Sequence, residues 1–206
     1  MSTSALDLAP VIPVVIVDDV ESAVPLARAL VAGGLPAVEV TLRTPAAIGA
    51  IERIAAEVEG AFVGAGTVLT PKQTKAAVAA GARFLVTPGC TERLYGSLMD
   101  SGLPFLPGTS TVSEVLELRE RGVREMKFFP AEAAGGAPYL KSLASPVPDV
   151  RFCPTGGITP ASAPTYLALP NVACVGGSWM LPADAVASRD WARVEKLARE
   201  ASGLRG

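Results

Sequence analysis

An α/β fold built as a single-domain (β/α)8 barrel is what this sequence predicts, on three observations. Eight apolar, β-rich runs recur along the 206 residues, starting 20 to 26 residues apart, the length of one strand–helix unit. Amphipathic helical patterns fill the intervals. No linker or composition break interrupts the alternation, so residues 1–206 read as one domain, with residues 1–10 as a segment that caps the barrel. A doubly wound sheet is the competitor. Its glycine-rich fingerprint is missing after the first run, where "IVDDVES" stands instead.

The runs are "VIPVVIV" from Val11, "AVEVTL" from Ala37, "AFVGAGTV" from Ala61 and "FLVTPG" from Phe84. They continue with "PFLPGTS" from Pro104, "EMKFFP" from Glu125, "RFCPTGGI" from Arg151 and "VACVGGSWM" from Val172. Between the first two, "ESAVPLARALVAGG" puts Ala23, Leu26, Ala27 and Leu30 on one face and stops at Gly33–Gly34. "PAAIGAIERIAAEVEG" lines up Ile48, Ile51, Ile54 and Val58 and stops at Gly60. Thr70 and Pro71 read as the N-cap and first position of the next helix. Thr111 followed by Glu114 reads as a capping box. A closing helix is expected from about Ser188 to Ala201.

Composition excludes several function classes. Half the residues are hydrophobic and 18% are charged, which argues against disorder. The formal net charge is -2 and no strongly basic patch is visible, so neither nucleic acid nor an acidic membrane is an expected partner. No apolar run approaches the roughly 20 residues of a membrane span. The start, "MSTSALDLAP", lacks the basic and apolar regions of a secretory signal. Cys90, Cys153 and Cys174 show no CxxC spacing; an odd count without a secretory signal fits reduced thiols in the cytoplasm, and Cys153 and Cys174 read as small buried residues. The chain has no histidine. That removes Ser-His-Asp and Cys-His nucleophile systems and leaves proton transfer to Glu, Asp, Lys, Tyr, Cys or water.

The carboxyl ends of the strands are where a barrel builds its site. Side chains alternate along a strand, so Glu39, Thr41 and Arg43 share one face of the second run and Val38, Val40 and Leu42 the other. In the sixth run Glu125, Lys127 and Phe129 oppose Met126 and Phe128. The apolar sets belong against helices, which turns Glu39 and Lys127 inward. Of five lysines, only Lys127 falls in a strand; Lys72, Lys75, Lys141 and Lys196 fall on helices. An amine in a dry site can attack a ketone and form a Schiff base. A structural ion pair between Glu39 and Lys127 is the plainer alternative. Two glycine-rich ends follow: Thr155, Gly156 and Gly157 in "TGGI", and Gly176, Gly177 and Ser178 in "GGS". They stand where barrels often bind phosphate through backbone N–H groups. Thr67 and Pro88 mark the ends of the third and fourth runs. Thr67 reads either as a carboxylate ligand or as a helix cap.

The fragments "EVTLRT", "VGAGTV", "STVSE", "KFFPAE", "RFCPTGGI" and "GGSWMLPAD", in this order, give the chain a specific resemblance. From about Val11 to Ala201 it resembles the 2-keto-3-deoxy-6-phosphogluconate (KDPG) aldolases of the Entner–Doudoroff pathway, many of which also cleave 4-hydroxy-2-oxoglutarate (KHG). The resemblance implies a class I aldolase that releases pyruvate and glyceraldehyde 3-phosphate. It implies Lys127 as the Schiff-base lysine and Glu39 as the general base. Arg43 and Thr67 would hold the pyruvate carboxylate, and Pro88 and Phe129 would line the pocket. Thr155, Gly156, Gly157, Gly176, Gly177 and Ser178 would face the substrate's phosphate end. A small-molecule substrate, no cofactor, no metal and a homotrimer belong to the same expectation. The alternatives are an aldolase for the C4-epimeric phosphogalactonate and a catalytically silent sugar-phosphate binder or assembly scaffold on the same barrel.

Overall fold

The structure is a computed structural model and describes residues 4–205. The first three residues of the expected cap, 1–3, lie outside the described residues. Among the described residues there are nine strands: β1 (Val11–Val15), β2 (Ala37–Thr41), β3 (Phe62–Gly66), β4 (Leu85–Val86), β5 (Phe105–Leu106), β6 (Gly108–Thr109), β7 (Glu125–Phe128), β8 (Arg151–Pro154) and β9 (Val175–Gly177). Nine α-helices accompany them in the same residues: α1 (Val20–Ala32), α2 (Ala47–Glu57), α3 (Pro71–Ala79), α4 (Glu92–Asp100), α5 (Val112–Glu120), α6 (Gly136–Leu143), α7 (Ala163–Leu167), α8 (Ala183–Ala187) and α9 (Trp191–Ser202). Every strand pairing is parallel, as the strand–helix alternation requires.

The strands curl into two sheets, one in the order β5-β4-β3-β2-β1-β9 and one in the order β6-β7-β8. Each of the eight expected runs contains a strand, and the fifth contains two. Pro107 separates β5 from β6 and has no N–H to continue a ladder. Isolated parallel bridges, Phe152 to Val172 and Thr155 to Gly176, run between the β8 and β9 segments. The expected closing helix also differs in detail. It begins at Trp191, with Asp190 as N-cap, because a short α8 and the turn at Ser188–Arg189 precede it. Among the described residues no helix is long and apolar enough to cross a membrane.

Local sequence explains the helix starts. The Thr70 hydroxyl accepts from Gln73 N–H at the head of α3. The Thr111 hydroxyl accepts from Glu114 N–H at 3.3 Å, and the Glu114 carboxylate accepts from Thr111 N–H at 2.8 Å, which completes the capping box of α5.

Strand alternation sorts the core into two layers. Val38, Val40, Met126 and Phe128 pack outward with Leu26, Ile51 and Ile54 of the helices. Leu6, Ile12, Ala37, Phe62, Phe84, Cys153 and Cys174 pack on the inner face. Phe62 and Phe84 stack there at 5.5 Å between centroids. A 3-10 turn, Ala5–Asp7, seats Ala5 and Leu6 against this inner layer. Ser4 donates to Glu125 at 2.8 Å, and Arg151 pairs with Asp7 and, at 3.2 Å, with Glu125. These contacts lie at the amino ends of β7 and β8, opposite the ends where the polar residues gather.

Candidate active site

Glu39 and Lys127 both turn inward, as their apolar neighbours require. They are only 2% and 4% exposed, and Lys127 Nζ donates to Glu39 Oε1 at 3.1 Å. The two residues come from β2 and β7, which are not neighbours in either sheet, so the contact crosses the interior. A buried ion pair gains little stability over apolar residues of the same size, which makes such a pair a candidate for chemistry. The Phe129 ring lies 5.4 Å from Nζ.

Gly66 makes room for the carboxylate. A Cβ on Gly66 would collide with Oε1 and Cγ of Glu39. Periodicity does not mark that role, because Gly66 ends β3 and Glu39 sits in β2; the register Thr41 to Gly66 brings them together.

The remaining expected residues group around this pair. Arg43 lies in the turn beyond β2 and is exposed; its Nε donates to Thr67 Oγ1 at 3.2 Å. Arg43 is thus bonded to Thr67 and not to the Lys127–Glu39 pair. Thr67 has φ of 54°, a left-handed conformation that a β-branched residue adopts only under constraint. Thr67 is not a helix cap, since Thr70 fills that position for α3. Pro88 is half-buried, and its backbone leaves no room for a Cβ on Gly108.

The two glycine-rich ends meet. Thr155 is buried, bridges to Gly176, and its hydroxyl occupies the place a Cβ on Gly176 would take. A Cβ on Gly156 would stand 3.3 Å from the Phe129 ring, so this end also touches the lysine strand. The ring of Trp179 fills the space over Gly177. Ser178 is exposed and lines a cavity of about 520 Å³ together with Ile16, Asp18, Ser22 and Arg189.

Further inward-facing hydroxyls were not among the expected site residues. Thr41 donates to the Val15 carbonyl at 3.0 Å, and Thr109 to the Lys127 carbonyl at 3.2 Å. Thr87 Oγ1 accepts from Gly108 N–H at 3.2 Å. The alternation that exposed Glu39 also marks Thr41, but only the structure shows these hydroxyls engaged with backbone. Burial pushes the Cys90 thiol up to about 11, so it is no nucleophile at neutral pH. Among the described residues no group of three or more Cys, Asp or Glu is placed to hold a metal ion.

The model of the family described as "KDPG and KHG aldolase" matches residues 3–197. The chain belongs to the KDPG and KHG aldolase family. A KHG/KDPG aldolase of Escherichia coli K12 is 53% identical over 96% of this chain and 93% of its own length. A 2-dehydro-3-deoxy-phosphogluconate aldolase of Dickeya dadantii is 52% identical over 95% and 92%. In structure, this aldolase is similar to a crystal structure of KDPG aldolase from Legionella pneumophila, with a TM-score of 0.94, 47% identity and 97% of each chain covered. That relative holds pyruvate captured at low pH as a covalent carbinolamine intermediate. The family match makes the present aldolase an enzyme of the lyase class.

Proposed function

We propose that this aldolase cleaves KDPG to pyruvate and glyceraldehyde 3-phosphate through a Schiff base on Lys127, and KHG to pyruvate and glyoxylate by the same route. The buried contact of Lys127 Nζ with Glu39 Oε1 at 3.1 Å carries the reading, because it joins an amine nucleophile to a proton acceptor. The carbinolamine of pyruvate in the Legionella relative supports covalent capture of a 2-keto acid by an amine.

Lys127 first passes a proton to Glu39, and its neutral amine then adds to the C2 ketone. Glu39 passes a proton to the resulting carbinolamine oxygen, which leaves as water and yields a protonated imine. Glu39, now a carboxylate, takes the proton of the C4 hydroxyl. The C3–C4 bond then breaks, its electron pair moves into the imine to form an enamine, and the aldehyde departs. Protonation of C3 and addition of water return the free amine and pyruvate. In this scheme Arg43 and Thr67 hold the 2-keto acid carboxylate, and Pro88 and Phe129 line the pocket. Thr155, Gly156, Gly157, Gly176, Gly177 and Ser178 receive the phosphate end through backbone N–H groups and hydroxyls.

The same reading makes the strands one ring of eight in a single domain. β5 and β6 would be halves of one strand broken at Pro107, and the bridges from Phe152 to Val172 and Thr155 to Gly176 support contact between β8 and β9. A homotrimer is part of this reading. The exposed Leu69, Met99, Val112 and Leu116 side chains are candidates for its contacts.

The test is borohydride reduction in the presence of pyruvate, with the adduct mapped by mass spectrometry, beside coupled detection of pyruvate released from KDPG, KHG and the phosphogalactonate epimer. Adduct at Lys127 and fastest release from KDPG are expected. Absence of adduct would remove the Schiff base, and faster release from the epimer would reassign the substrate.

A further inference from the structure

Beyond the lysine strand, one carboxylate joins three elements. Glu132 follows β7 by four residues and takes no part in the reaction described above. Its N–H donates to the Gly156 carbonyl at 3.1 Å, beside a bond from Ala131 N–H to the Thr155 carbonyl at 2.8 Å. These two bonds extend the pairing of β7 and β8 past the strand ends and into the glycine-rich turn. The Glu132 stem lies directly under that turn: a Cβ on Gly157 would stand 2.7 Å from Cγ and 2.9 Å from Cβ of Glu132. Gly157 has φ of 81°, so it is glycine for its backbone as well as for the space.

The carboxylate is fixed from the far side. Tyr166, on α7, is 1% exposed, and its hydroxyl donates to Glu132 Oε1 at 2.7 Å. A buried phenol needs a partner for its hydroxyl, and Glu132 is that partner. Burial and the hydrogen bond to Glu132 push the Tyr166 phenol upward, so the hydroxyl keeps its proton at neutral pH. Gly136, at the head of α6, leaves the pair open space: a Cβ there would come within 3.3 Å of the Tyr166 hydroxyl.

We propose that Glu132, held by Tyr166, is a positioning residue that sets the Thr155–Gly157 turn against the end of β7 and thereby sets the affinity for the phosphate end of the substrate. The proposal rests on the reading of that turn as a phosphate-binding end. Lys127 and Glu39 touch neither residue in the hydrogen bonds described, so imine chemistry is left alone.

The experiment compares the wild type with Tyr166→Phe, Glu132→Ala and Glu132→Gln on phosphorylated KDPG and unphosphorylated KHG, and measures inhibition by inorganic phosphate. Tyr166→Phe and Glu132→Ala should each raise KM for KDPG about tenfold, the scale of losing a hydrogen bond to a charged group. The KM for KHG and both kcat values should stay within about twofold, and phosphate inhibition should weaken in parallel with the KM for KDPG. Glu132→Gln keeps an oxygen for Tyr166 and should retain most of the wild-type KM. Unchanged KM for KDPG, or equal rises for both substrates, would overturn the positioning role. If Glu132→Ala fails to fold, Tyr166→Phe, which removes a single oxygen, decides alone. A wild type that phosphate does not inhibit, and that binds KDPG no better than KHG, would instead overturn the phosphate reading on which the proposal stands.

Discussion

Lys127 and Glu39 are costly to bury singly and tolerable only together. Each therefore has two effects when changed. Lys127→Ala should abolish both turnover and borohydride trapping, since no other strand lysine exists to replace the amine. Glu39→Gln should slow turnover about 100-fold, the usual scale for a lost general base, while part of the imine still traps with pyruvate. Quantitative trapping beside steady-state rates separates the two; unchanged turnover in Glu39→Gln would move the base elsewhere. Gly66→Ala tests the space that the Glu39 carboxylate occupies. Its new methyl group would displace the Glu39 carboxylate, so kcat should fall about tenfold or more, by the sensitivity of proton transfer to position. Part of the trapping by pyruvate should survive, as in Glu39→Gln, because the amine itself is untouched. The inward placement of Lys127 and Glu39 was legible in the sequence because a charge in an apolar alternation has few explanations. The contacts of Gly66, Tyr166 and Glu132 were not, because they join separate elements that no local pattern relates.

At the scale of the element, the chain states its helix starts more clearly than its strand ends. The α5 capping box is exposed and begins two residues past Thr109, at the end of β6. Burial works against ionisation of Glu114, but the N–H groups of Ser110 and Thr111 and both their hydroxyls outweigh it and hold the carboxyl below its usual range. Thr111→Ala should cost about 1 kcal/mol, as a lost N-cap does, read as a lower urea midpoint with unchanged slope. The sequence read these caps correctly because capping is a three-residue affair. Strand positions were also legible, since each of the eight apolar runs holds a strand. The break between β5 and β6 was missed because a proline in an apolar run looks like part of the run until the ladder is seen. The division of the C-terminal region into α8 and α9 was missed for a similar reason. Arg189 has φ of 57° at that turn, a backbone choice its side chain does not announce.

Across the whole molecule, the two ends of the curled sheets carry different burdens. The carboxyl ends hold a buried ion pair, a left-handed threonine and paired glycines, all of which favour chemistry over stability. The amino ends are filled by apolar packing, where Leu6 is fully buried among Ile12, Phe62, Phe84 and Cys153. Glu125, the residue that ties Ser4 and Arg151 to this end, stands one inward position before Lys127, about 7 Å along the strand. The cap is therefore near enough to disturb the lysine if the inner layer is soft, and without influence on it if that layer is rigid. Close packing favours rigidity. Leu6→Ala should lower stability by about 2–5 kcal/mol, the range for a buried leucine. Well below the unfolding midpoint it should keep kcat within about twofold, since no group that touches Lys127 Nζ is removed. Urea unfolding and pyruvate release measured on the same preparation decide the matter. A large fall in kcat without loss of folded protein would show that the cap reaches the lysine through Glu125, and that the two ends are not independent.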